Sequence, residues 1–198
     1  MTNYNDYWRN EKNVKSLDEF WNREEDNAKR ERIYRLVRNI PEKGTVLDAG
    51  CGTMHDFPFL TGDGWQYTGS DTSRRMLMYA STIHPEAITC RDDIINTKLG
   101  NDTFDLVYSV SVICHLPIES VNAAIGNMMN ISRKHLVIYT PYVHELKTIT
   151  TSPSIDGYIR NRFNFMDLYE RISAVGEVIH IERGDDVVAI HALKRGQP

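Results

Sequence analysis

Val46-Leu47-Asp48-Ala49-Gly50-Cys51-Gly52-Thr53 is the stretch whose reading decides the fold. The short β-run Thr45 to Asp48 leads into Gly50 and Gly52, two glycines spaced by one residue. Glycines at the carboxyl end of a first strand let the backbone turn sharply and let a ligand come close to it. A dinucleotide-binding loop needs G-x-G-x-x-G, so that a pyrophosphate seats on a helix N-terminus. Here the sixth position is His55. An acid, Asp48, also stands two residues before the first glycine. That carboxylate repels a pyrophosphate and suits a ligand carrying positive charge.

Outward from this loop, short β-runs alternate with helical patterns. Further β-runs are Gln66 to Ser70, Ala87 to Cys90, Phe104 to Val110 and Leu136 to Thr140. Between and after them lie the helical faces Met76/Ala80/Ile83, Val121/Ile125/Met128/Met129 and Phe165/Leu168/Tyr169/Ile172, the last with Gly176 as its stop. Such alternation predicts a parallel sheet covered on both faces. At the C-terminus, Glu177 to Arg183 and Val187 to Lys194 flank Gly184-Asp185-Asp186. They read as a hairpin whose last strand runs antiparallel. The expected fold is a three-layer, Rossmann-like α/β sandwich with a seven-stranded, mostly parallel sheet.

Before the loop the chain reads as helical. Ser16-Leu17-Asp18-Glu19 fits a capping box. Ile33, Leu36, Val37 and Ile40 repeat at helical spacing, and Pro41 supplies a stop. Residues 1–40 are therefore expected to form a helical cap of the same domain, and 41–198 its core. Tyr4, Tyr7, Trp8, Phe20 and Trp21 either pack on that core or form a lid over a ligand. Tyr142 to Arg162 is polar, contains Pro153 and reads as a long irregular segment, a feature that is usually functional or mobile.

Composition narrows the function classes. Of 198 residues 41% are hydrophobic and 25% charged, which fits one globular domain. Acids outnumber bases 27 to 23, which speaks against a general nucleic-acid binder. Cys51, Cys90 and Cys114 form neither a metal spacing nor a disulfide framework, so no metal is expected and a reducing, cytoplasmic setting is. Met1 to Asn10 is not an apolar leader, and the most apolar run, Leu106 to Leu116, is too short to span a bilayer.

Two further sites carry chemistry. The second β-run leads into Gly69-Ser70-Asp71-Thr72, where a carboxylate can accept from both hydroxyls of a ribose or cap the following helix. Met76 either lays a thioether on an adenine face or belongs to the core.

With these residues in place, the chain resembles the class I S-adenosylmethionine-dependent methyltransferases of the small single-domain kind. The resemblance runs through Leu47 to Thr53, Gly69 to Ser73 with Met76, Arg91-Asp92-Asp93-Ile94, Thr103 to Ser109, and Val112-Ile113-Cys114-His115-Leu116-Pro117. It covers roughly residues 40 to 195, terminal hairpin included. It implies that S-adenosylmethionine binds at the loop Asp48, Ala49, Gly50, Cys51, Gly52, with Asp48 on the ammonium group and the glycines along the methionine part. It also implies that Asp71 holds the ribose and that Thr72 and Met76 border the adenine. Asp93 would accept from the adenine amino group, with Asp92 an adjacent candidate, and the Ile94 amide would meet a ring nitrogen. The Ser109 backbone would lie near the methionine moiety. One departure is Met54, where the family has a third glycine; it is expected to crowd the loop.

The expected reaction is methyl transfer to an oxygen or nitrogen atom of a small molecule. His115 is the candidate base, because it follows the fourth strand and imidazole takes a proton near neutral pH. His144 is a weaker candidate. Methylation of a protein or RNA, with Arg74, Arg75, Arg160 and Arg162 near phosphates, is the alternative, as is a module that binds the cofactor without transferring methyl.

Overall fold

The computed structural model describes residues 7–21, 24–145, 147–150 and 158–196. Tyr4, the side chains of Phe20 and Trp21, and Pro153 lie outside what is described. Helix α1 is Glu11–Trp21 and α2 is Glu24–Arg38. Ser16 does not start a helix, because it lies inside α1. The cap is Asn10, whose Oδ1 accepts from Lys12 N at 3.0 Å. Asparagine caps a helix as well as serine does, and the turn at Tyr7–Arg9 places it there.

The rest of the chain runs β1 (Thr45–Ala49), α3 (Phe57–Gly62), β2 (Gln66–Asp71), α4 (Arg74–Ile83), β3 (Ile88–Arg91), β4 (Phe104–Val110), α5 (Val121–Ile131) and β5 (Ser132–Val143). It ends β6 (Ile149–Thr150), β7 (Asn161–Asn164), α6 (Phe165–Ser173), β8 (Gly176–Arg183) and β9 (Val187–Lys194). Seven strands form the main sheet in the order β3-β2-β1-β4-β5-β9-β8. The pairs β1–β2, β1–β4, β2–β3 and β4–β5 are parallel, while β9 is antiparallel to both neighbours. The doubly wound sheet with its antiparallel last strand is as expected.

Two departures have local causes. β5 is 12 residues long and outruns the sheet, so that Tyr142 and Val143 pair with Phe163 and Asn164 of β7. The segment expected to be irregular thus contributes two short strands, β6 and β7, although 146 and 151–157 lie outside the described residues. Gly176 does not stop α6, which ends at Ser173. It opens β8, where an added Cβ would come within 2.4 Å of Met129 Cε and 2.9 Å of the Leu193 carbonyl oxygen. Close packing, rather than helix termination, calls for a glycine there.

The central strands bury both faces, as their apolar runs require. Leu47, Val107, Leu136, Ile138, Val188 and Ile190 face one core with α5 and α6. Val46, Leu106, Tyr108, Val137, Tyr139 and Ala189 face the other, where Ile33, Leu36, Val37 and Ile40 of the α2 segment pack. Phe104 breaks the alternation by joining the α5 side, because the β4–β5 register shifts between Phe104 and Leu106.

Candidate active site

The loop after β1 is laced to the end of β2. Gly50 N and Cys51 N both donate to the Ser70 carbonyl, at 2.7 and 2.9 Å. Gly52 N donates to Asp71 Oδ2 at 3.0 Å, and Ser73 N to Asp71 Oδ1 at 2.7 Å. Ser73, not Asp71, caps α4, through its hydroxyl to Met76 N. Gly50 and Gly52 both adopt positive φ, at 74° and 52°. A Cβ on Gly50 would sit 2.4 Å from Val112 Cγ2, so the tight turn accepts glycine alone.

These elements wall a cleft, open to solvent, at the carboxyl ends of β1, β2 and β4. Asp48, Gly50, Cys51, Gly52, Asp71, Thr72, Met76, Asp92, Asp93, Ile94 and His115 all reach it. Two expected residues do not. Ala49 and Ser109 are buried within their strands, Ser109 still paired with Ile138. The wall at the end of β4 is instead Val110, Ser111 and Val112. Met54 does not crowd the cleft either. It takes a positive φ of 59°, and its side chain is buried in the core on the α2 side.

Asp48 is buried and accepts from Tyr67 Oη at 2.9 Å. Burial, and next the nearby Asp56, push its carboxyl up to about 8. Burial also raises Asp71, against the Ser73 and Gly52 amides that favour its charge. Asp92 is held within its own loop, accepting from Thr97 Oγ1 at 2.6 Å and Lys98 N at 3.0 Å. Asp93 accepts from Ile95 N at 3.0 Å.

Sequence reasoning missed Arg30 and Asp56, which also line the cleft. Arg30 is buried on α2 and pairs with Asp56 at 3.3 Å, and Tyr34 donates to the same carboxylate oxygen at 2.6 Å. The signal was spacing. Arg30, Ile33, Val37 and Ile40 fall on one helical stripe, and a charge on an apolar stripe needs a buried partner.

A second chamber, also open to solvent, adjoins the first. Its wall includes Tyr7, Asn13, Tyr139, Tyr142, Tyr158, Arg160 and Arg162. Trp8, Leu17, Ser111 and His115 border both spaces. His115 Nδ1 lies 2.8 Å from the Ile159 carbonyl oxygen. A carbonyl only accepts, so Nδ1 carries the proton and Nε2 keeps its lone pair. Trp8 and Tyr158 flank the ring at 5.1 and 5.3 Å between centroids. Burial pushes the imidazole down to about 4. His144 lines neither space and lies 3.2 Å from the Asp185 carbonyl oxygen.

The family model described as a methyltransferase domain matches residues 46–135, the span from the glycine loop into β5. Over that span the chain is similar to the methyltransferase-domain family. Over 106 residues it is 34% identical to a malonyl-[acyl-carrier protein] O-methyltransferase of Pectobacterium atrosepticum, covering 52% of this chain and 41% of that protein. A 2-methyl-6-phytyl-1,4-hydroquinone methyltransferase of Synechocystis is 32% identical over 88 residues, 42% of this chain and 28% of its own length. The chain thus spans less than half the length of these curated relatives. In fold it is similar to a protein from Pyrococcus horikoshii, at a TM-score of 0.73 and 15% identity over 88% of this chain and 93% of that one. Among the described residues, no helix is long and apolar enough to cross a membrane.

Proposed function

We propose that the chain transfers a methyl group from S-adenosylmethionine to an oxygen or nitrogen atom of a small molecule. The observation that carries this reading is the meeting of two chambers at one wall, made by Trp8, Leu17, Ser111 and His115. The first chamber fits the cofactor. Its wall holds five carboxylates, Asp48, Asp56, Asp71, Asp92 and Asp93, against Arg30, which suits an ammonium, a sulfonium and ribose hydroxyls. Its glycines leave backbone where a Cβ would intrude.

The bound cofactor supplies a methyl already activated on a sulfonium. The protein's work is then alignment and exclusion of water. Asp48 holds the ammonium group, while Gly50, Cys51 and Gly52 line the methionine part with Ala49 and Ser109 behind them. Asp71 spends one lone pair of each oxygen on backbone amides and keeps the others for ribose hydroxyls. Thr72 and Met76 border the adenine. Asp93 and the Ile94 amide read its edge, and Asp92 shapes their loop. His115 presents Nε2 to the acceptor and takes its proton. The described residues among the first forty cap the same domain, with Trp8, Leu17 and Arg30 lining the cofactor's cleft. Three free cysteines suit the reducing cytoplasm.

Calorimetry with S-adenosylmethionine, followed by mass detection of a methylated product from a metabolite panel, tests the reading. Asp71→Ala is expected to weaken cofactor binding by ~1–3 kcal/mol, the range for a hydrogen bond to a charged group. Tighter binding of a nicotinamide nucleotide than of S-adenosylmethionine would falsify it.

A further inference from the structure

We infer that the second chamber takes an aromatic carboxylate, with Arg160 and Arg162 holding its carboxylate and Tyr7, Trp8 and Tyr158 flanking its ring. The inference rests on the proposed function, since it names the acceptor class for that same site.

Its first support is the extended segment Tyr158 to Asn164. Successive side chains of an extended chain point to opposite faces. Ile159, Asn161 and Phe163 are buried, and Asn161 Nδ2 is anchored on the Leu116 carbonyl at 2.8 Å. Tyr158, Arg160 and Arg162 therefore share the other face, and all three line the chamber. One stripe thus offers a ring followed by two guanidiniums, whose planar forks match a carboxylate's two oxygens.

Charge supplies the second support. Among the described residues, the chamber wall carries Lys29, Arg160 and Arg162 together with the acid Asp186, which pairs with Lys29 at 3.1 Å. The adjoining cleft has the opposite balance. Side by side, the two walls sort a cationic cofactor from an anionic acceptor. An acceptor carboxylate is repelled from the acid-lined cleft and drawn to the arginines.

Ring geometry is the third support. Tyr7 lies 4.6 Å from Tyr158 and 4.7 Å from Trp8 between centroids, and Trp8 lies 6.1 Å from Tyr158. These are tilted and edge-on arrangements at separations where aromatic groups attract. They border the chamber beside His115, so a ring placed there brings a substituent hydroxyl or amine toward Nε2.

The test titrates the protein, loaded with S-adenosylhomocysteine, with the hydroxybenzoate isomers and with the matching hydroxybenzamides, followed by calorimetry. At least one hydroxybenzoate is expected to bind, about tenfold or more tighter than its amide, as a charge-assisted pair requires. The double variant Arg160→Gln, Arg162→Gln is expected to erase that preference. Its affinity for the amide and for S-adenosylhomocysteine should stay the same, the latter reporting an intact fold. Equal binding of acid and amide overturns the inference. So does a double variant that keeps the preference, or no hydroxybenzoate binding at millimolar concentration in a protein that binds S-adenosylhomocysteine. If the wild type does not bind S-adenosylhomocysteine, the proposed function fails instead. The same titrations on the cofactor-free protein then decide the chamber's preference by themselves.

Discussion

The two chambers are built by different means. The cleft proposed for the cofactor is made at the ends of neighbouring strands, and its geometry is held by main-chain bonds to Ser70 and Asp71. The chamber proposed for the acceptor is made by side chains from segments far apart in sequence: Tyr7 and Trp8, α1, the end of β5, Tyr158 to Arg162, and the turn before β9. The first construction fixes where a ligand's atoms lie. The second sets which ligand is welcome. Damage should therefore look different in each, and the boundary residue His115 should behave like neither.

His115→Ala should have the largest effect. Loss of a general base costs about two to four orders of magnitude in turnover, and cofactor affinity should hardly change. Because burial lowers the imidazole to about 4, the wild-type ring is neutral through the physiological range. Turnover should fall with acidification only as pH approaches about 4, rather than near the ordinary histidine value. A pH–rate profile checks both points, and survival of turnover in the variant would make His115 a spectator.

Gly50→Ala strikes the main-chain construction. The added Cβ meets Val112, and the residue must keep φ of 74°. Left-handed backbone alone costs a non-glycine residue about 1–2 kcal/mol. The clash adds to it, so cofactor affinity should drop by more than Asp71→Ala achieves. Thermal unfolding should show the same penalty without ligand. A variant that binds normally would mean the loop is slack.

Asp48 gives a gentler probe. Its carboxyl sits at about 8 in the folded protein, so it is mostly protonated at neutral pH. If Asp48 meets the cofactor's ammonium as proposed, that contact should ionise it, and binding should release a proton. Affinity should then rise by about tenfold between roughly pH 6.5 and 8 and level off above. Titrations in buffers of different ionisation enthalpy count the proton, and Asp48→Asn should abolish its release. The same shift has a stability sign. The folded state holds this proton where the unfolded chain has lost it, so stability from Asp48 declines as pH rises from the ordinary carboxylate value toward 8.

The smallest effect belongs to the chamber's rim. Lys29 and Asp186 pair at 3.1 Å but stay 42% and 62% exposed. Lys29→Ala should change stability by less than about 1 kcal/mol, as exposed pairs do. A larger loss in thermal unfolding would show that the rim carries structure as well as charge.

The same contrast explains what was legible in the sequence. The cleft's residues cluster within Asp48 to Gly52, Asp71 to Met76 and Asp92 to Ile94, each at a strand end, and strand alternation announces strand ends. Ser109 was expected one or two residues early, because pattern alone does not say how far a strand runs before it turns out of the sheet. Arg30 and Asp56 went unread because their meaning lies in a buried pairing across 26 positions, and no local pattern joins them. The Ser16 capping box was a correct motif in the wrong place, since the preceding turn had already installed Asn10 as the cap. The chamber was the least legible part. Tyr158, Arg160 and Arg162 read as scattered polar residues until the lengthened β5 gives β7 an edge to pair with and so fixes which way they point.

Ser111 has a consequence of its own. It takes a positive φ of 54° at the end of β4, donates its amide to the Tyr139 carbonyl at 2.8 Å and borders both chambers. The Ser111 part of the partition is thus anchored in the polypeptide chain itself. Replacing side chains can redecorate the acceptor room, enlarging it or reversing its charge, without moving the doorway between the rooms. Changes of clientele are then separable from changes in how far a group must travel, and an engineer can retune the first while leaving the second alone.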